Sequence, residues 1–169
     1  MNLESYHVDY LHRDTLSNLV LHNPIYDSFG KHARWGFPTT GTEKVVDLPE
    51  EHWPPTMPVS IIHTLFPSVV LLETPVSCQM FRVYPGRNVN ECTVDLTEAS
   101  LKPIANEEDR DARQRGADFA ALVVGTEDFP AAEQCQRGAE IGLTNFNFGS
   151  NEPMLQHWHR TWQHALDNA

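Results

Sequence analysis

Residues 59–97 constrain the fold more than any other part of the chain. They hold four strand-like runs in close succession: VSIIHTLF (59–66), SVVLLET (68–74), SCQMFRVY (77–84) and VNECTVDLT (89–97). β-branched and aromatic residues suit a pleated, half-buried surface. Pro67 splits the first two runs, and Pro85-Gly86-Arg87-Asn88 joins the last two. Two such runs around a Pro-Gly turn read as an antiparallel hairpin. In the last run Asn90, Cys92, Val94 and Leu96 alternate with Val89, Glu91, Thr93 and Asp95. The first set is the more apolar, so it is expected on the buried face.

Helical patterns flank this region. Residues 2–21 carry Leu3, Tyr6, Tyr10, Leu11, Leu16, Leu19 and Val20, a spacing that predicts a helix with one apolar face. His22-Asn23-Pro24 reads as its end. Residues 106–124 start acidic and turn apolar, and acids favour a helix start through its dipole. Gly125-Thr126 reads as an interruption. Glu127-Asp128-Phe129-Pro130 then opens a second helix to about Ile141, with Thr126 or Asp128 as cap and Pro130 in the first turn. After a loop-like LTNFNFGSNEP, MLQHWHRTWQHAL predicts a short helix. Residues 23–58 hold Pro24, Pro38, Pro49, Pro54, Pro55 and Pro58 with Gly30, Gly36 and Gly41, and are expected to be loop with short irregular pieces. Trp35, Phe37 and Trp53 would give that loop apolar contacts, and a long ordered loop often covers a site. The order of helix, loop, antiparallel strands and helix is that of one α+β domain spanning residues 1–169.

Charge narrows the partners. The 169 residues carry 23 acids against 12 basic residues, a net charge of −11, and Lys and Arg are scattered singly. A phosphate backbone would be repelled, so no nucleic-acid partner is expected. No apolar run is long enough to span a bilayer, and no membrane partner is expected. MNLESYHVDY has no basic or apolar signal region, which points to the cytoplasm. Cys78, Cys92 and Cys135 form no close pair and read as reduced thiols.

The chemistry concentrates in Glu4-Ser5-Tyr6-His7-Val8-Asp9-Tyr10-Leu11-His12. Neutral imidazole ligates iron, zinc or copper. Yet on an ideal helix a five-residue step turns about 140°, so His7 and His12 would not share a face. A site there needs the helix to bend or end between them. A zinc-protease motif is absent, because it uses a four-residue step with an intervening Glu. Spacing alone is weak: His159 and His164 repeat it within an amphipathic, solvated stretch. By spacing alone, His7 and His12 also read as surface or satisfied core histidines.

ESYHVDYLH resembles the iron-binding segment of Rieske-type ring-hydroxylating oxygenase large (alpha) subunits. HTLFPSVVLLETPVSCQMFRVYPGRNVNECTVDL resembles the strands that follow, TEDFPAAEQCQRG the acid-bearing helix, and FGSNEPMLQHWHR the C-terminal ending. The pieces occur in family order over nearly the whole chain. The resemblance implies the C-terminal catalytic domain in a helix-grip (START/Bet v 1-like) fold: an antiparallel sheet packed on a long C-terminal helix, with an apolar-walled substrate cavity between. It implies a mononuclear Fe(II) held by His7, His12 and Asp128, in the facial arrangement that leaves positions open for O2 and substrate. Glu127 is the alternative carboxylate ligand, and Asp128 read alone is a helix cap. Glu4 stands where the family usually has an Asp that links a ligand His to a neighbouring subunit's Rieske cluster, a catalytic role in which it would hydrogen-bond His7. Similar proteins acting on quaternary amines have Glu there.

The implied activity is O2-dependent hydroxylation of an aromatic or quaternary-amine-like substrate. None of the three cysteines has a His two or three positions later, so a Rieske [2Fe-2S] centre is expected on another chain or a neighbouring subunit, with a reductase and a homotrimer as further partners. The chain starts only six residues before His7, so the domain is expected to be truncated at its N-terminus, and the isolated chain is not expected to turn over. The competing expectations are a non-catalytic helix-grip module for an apolar ligand and an inactive oxygenase fragment.

Overall fold

The structure, a computed structural model, describes residues 6–20, 24–55, 57–74, 77–142 and 145–169. They form two compact units. One comprises Asn18–Tyr84 and Val94–Pro103, the other Met1–Ser17, Pro85–Thr93 and Ile104–Ala169.

The first unit is built on a six-stranded antiparallel sheet in sequential order: β1 (Ile25–Phe29), β2 (His32–Pro38), β3 (Val59–Leu65), β4 (Val69–Glu73), β5 (Ser77–Pro85) and β6 (Cys92–Ser100). Its buried face is set by alternation in β2, where Ala33, Trp35 and Phe37 are buried and Arg34 is exposed. Register carries that face across the sheet. Ala33 lies opposite Thr64 and Trp35 opposite Ile62, while Thr64 lies opposite Val70 on the next strand. Trp35 and Phe37 meet edge to face with ring centres 5.8 Å apart. A buried aromatic of this kind stabilises a domain by about 3–5 kcal/mol relative to Ala. On the opposite face Arg34 donates to Asp27, its directly facing residue on β1.

The β1–β2 hairpin corrects the expectation of an irregular segment at residues 23–58. The prolines obscured a period-two pattern, Ala33, Trp35 and Phe37, that marks a half-buried strand. Gly30, with φ of +62°, occupies the two-residue turn between Phe29 and His32, where a side chain would be strained. After the hairpin come the short helix α2 (Thr42–Val46) and a 3-10 turn, Glu50–His52. Trp53 stays partly exposed and donates its indole N–H to the Leu48 carbonyl. The strands expected from residues 59–97 are all present. In β6, Val94 and Leu96 are less exposed than Thr93, Asp95 and Thr97, as the alternation required, but Cys92 is exposed.

The second unit is helical. Its first helix, α1, covers only Tyr6–Leu11 of the described residues, where the apolar spacing predicted one helix over 2–21. A turn follows, with the Leu16 N–H donating to the His12 carbonyl at 2.8 Å. Leu19 then belongs to the sheet unit, bridged to Thr39. Helices α3 (Glu107–Val123) and α4 (Phe129–Glu140) are joined without a break by a π-helical turn, Val124–Asp128. Asn106 caps α3, its side chain accepting from the Asp109 N–H at 2.8 Å, and Glu107, Glu108 and Asp109 complement the dipole. The last helix is α5 (Pro153–Asp167). A six-stranded antiparallel sheet with a long helical run near the C-terminus is an α+β architecture consistent with the helix-grip class.

Candidate metal centre

The site lies within the helical unit, and two local irregularities build it. The first is the early end of α1. The His12 N–H still donates to the Val8 carbonyl at 3.0 Å, but His12 itself lies just beyond the last helical residue, Leu11. A continuing helix would turn the two imidazoles about 140° apart. Here their ring centres are 5.2 Å apart, in an edge-on arrangement.

The second irregularity is the π-turn. The Phe129 N–H donates to the Val124 carbonyl, five residues back. Three residues favour this wider step. Pro130 has no N–H to offer the carbonyl four residues before it. Thr126 turns its hydroxyl back onto the Leu122 carbonyl at 2.8 Å, a bond that loosens the helical ladder. Gly125 weakens the regular helix. Such turns inside helices occur often at functional sites. This one presents two consecutive acids, Glu127 and Asp128, to one imidazole. The capping role expected of Asp128 is not what the structure shows: the helix runs through it, and its side chain caps nothing.

Asp128 faces both histidines. One carboxylate oxygen is 3.6 Å from His7 Nε2, and the other is 3.3 Å from His12 Nε2. One donor atom from each of His7, His12 and Asp128 can be chosen so that all lie within 4.8 Å of one another. Facial ligands, each about 2.1 Å from an ion, sit about 3 Å apart, so small side-chain movements would close the set. Glu127 is placed differently. Its Oε2 lies 2.5 Å from Nδ1 of His12, on the ring's other side, and also accepts from the Thr15 hydroxyl at 2.9 Å. The four side chains are well shielded, with His12 only 4% exposed and Asp128 23%.

The charge balance suits a divalent cation. Two carboxylates converge on two imidazoles, a net −2 when both rings are neutral. In the metal-free chain the same charge balance favours a proton on His12. Burial disfavours the charged ring of His12, but its hydrogen bonds to Asp128 and Glu127, with their charges, outweigh burial and raise its pKa above 6.5. With both ring nitrogens protonated, His12 donates to Glu127 on one side and faces Asp128 on the other. A proton on Nε2 occupies the position that a cation would need.

Of the residues singled out in the sequence, the structure brings together His7, His12, Glu127 and Asp128. Glu4 lies outside the described residues. His159 and His164 take no part in this cluster; both are exposed on α5. Thr15 had no sequence signal beyond lying one turn after His12. Among the described residues no helix is long and apolar enough to cross a membrane.

A family model described as the ring hydroxylating alpha subunit (catalytic domain) matches residues 1–168. No curated protein and no solved structure matches the chain significantly.

Proposed function

The chain belongs to the ring-hydroxylating alpha subunit family, in its catalytic domain, and from that we propose that His7, His12 and Asp128 bind one ferrous ion for O2-dependent hydroxylation of a small organic substrate. The family is one of oxygenases that use non-haem iron. The observation that carries the reading is the convergence of two imidazoles and one carboxylate, more than a hundred positions apart in sequence, with donor atoms within 4.8 Å. Bound there, the ion would supply open positions for O2 and substrate and the capacity to change oxidation state.

The chain's own residues hold the remaining roles. Asp128 contributes one negative charge and keeps its two oxygens against the two imidazoles. Glu127 takes the outer N–H of His12 and adds a second negative charge, which favours a dication over a proton at the shared position. The substrate is aromatic or quaternary-amine-like. Electrons would be supplied by a Rieske [2Fe-2S] centre on another chain or neighbouring subunit, itself reduced by a reductase.

Anaerobic Fe(II) titration of the purified chain tests the site. One ion is expected per chain. His7→Ala, His12→Ala and Asp128→Ala should each weaken binding more than about 100-fold, beyond the loss typical of outer-shell changes. Affinity like that of the unchanged chain in Asp128→Ala would overturn the assignment.

A further inference from the structure

We infer that Glu127, braced by Thr15, is a positioning residue that keeps the proton of neutral His12 on Nδ1 and turns Nε2 toward Asp128. This deepens the reading just given and rests on it for its metal-binding consequence.

Neutral imidazole carries one N–H and one lone pair, and the partner of one nitrogen decides the role of the other. An ionised carboxylate oxygen can only accept. With Glu127 Oε2 at 2.5 Å from Nδ1, that nitrogen must be the donor in the neutral ring. The lone pair then lies on Nε2, 3.3 Å from Asp128 Oδ2. The carboxylate is itself held. The Thr15 hydroxyl donates to the same Oε2 at 2.9 Å, while the Thr15 N–H donates to the His12 carbonyl at 3.0 Å. Ring, carboxylate and hydroxyl thus form a closed loop in which α1 and the turn after it are tied to the π-turn.

The loop gives consecutive acids separate tasks. In a regular helix two neighbours point about 100° apart. Here Glu127 addresses Nδ1 of His12 and Asp128 faces Nε2 of the same ring. A plain structural ion pair would need neither the short contact on one named nitrogen nor a hydroxyl fixing the acceptor. The expectation from sequence placed an acid, Glu4, behind His7; the structure places one behind His12.

Two measurements on the 169-residue chain test this. The first reads the ring nitrogens of 15N-labelled His12 by two-bond proton–nitrogen correlation, in the metal-free chain at a pH where the ring is neutral. The Nδ1–H form should dominate, and should persist in Glu127→Gln, whose side-chain oxygen still accepts. It should give way to a mixture in Glu127→Ala. The second is Co(II) titration, followed by absorbance. Glu127→Ala should lose about 10–100-fold in affinity. Thr15→Val should lose a few-fold, and Glu127→Gln should recover most of the loss. A dominant Nε2–H form in the unchanged chain, or Glu127→Ala with unchanged tautomer and Co(II) affinity, would overturn the inference. If the unchanged chain binds no metal but shows the tautomer pattern, the metal reading fails and the positioning role stands.

Discussion

The chain contains the same histidine spacing twice, and the two copies have different fates. His159 and His164 sit on α5, an unbroken helix, and both are exposed. His159 rests against the Phe148 ring, 4.5 Å between centres. His7 and His12 straddle the end of α1, their rings meet, and the π-turn brings acids to them. A regular helix keeps residues five apart on different faces. What sets the first pair apart as a candidate ligand set is therefore a helix that ends at its second histidine and a second helix that is locally unwound. Spacing contributes little; the departures from regularity contribute most.

The severest way to break this contrast is to remove the irregularity and leave every ligand in place. Gly125→Ala, Thr126→Ala and Pro130→Ala together remove the residues that favour the wider step while keeping the residue count; with the five-residue turn tightened to ordinary helix, Asp128 swings by roughly 90° relative to α3. Fe(II) affinity should fall more than about 100-fold while the far-ultraviolet helical signal is kept. Retained iron binding with a retained fold would mean that the π-turn is incidental to the site.

The sequence made the regular parts legible and hid the irregular ones. Strands β3 to β5 were readable because Pro67 and Pro85-Gly86 separate runs of β-branched and aromatic residues. The helical start at Asn106 was readable from its acids. The β1–β2 hairpin was hidden by proline density, although Ala33, Trp35 and Phe37 alternated in plain view. The end of α1 was hidden because the apolar spacing runs on through Leu16, Leu19 and Val20, two of which serve the sheet unit's approach instead. At the site, the candidate ligands came from family resemblance, and the geometry now groups three of them. The π-turn could not be read, because Gly125 and Pro130 signal a break equally well as a widened turn. The separate place of Glu127 depends on that turn and was hidden with it.

A smaller effect sharpens the contrast through pH. In the metal-free chain, the bonds to Asp128 and Glu127 raise the pKa of His12 above its ordinary 6.5 despite burial. A group raised in the folded state adds stability that is complete below the unfolded value and is lost as pH rises through the folded value. The melting temperature of the metal-free chain should therefore decline as pH rises above 6.5. His12→Asn should flatten that decline. A slope unchanged by this substitution would show that His12 is not held by the two acids.

The smallest expected effect comes from the second pair, and its smallness is the point. His159→Ala with His164→Ala should leave Fe(II) affinity unchanged within about twofold, because neither ring reaches the donor cluster. Stability should move by no more than about 1 kcal/mol. Loss of the ring contact with Phe148 costs at most about that much, and Ala repays part of it through helix propensity. Titration of the double variant beside His12→Ala makes the comparison direct, since each removes imidazole from an identical spacing. Weakened iron binding in the double variant would place a second pair of imidazoles in contact with the metal, and would restore spacing as the signal that the structure assigns to helix geometry.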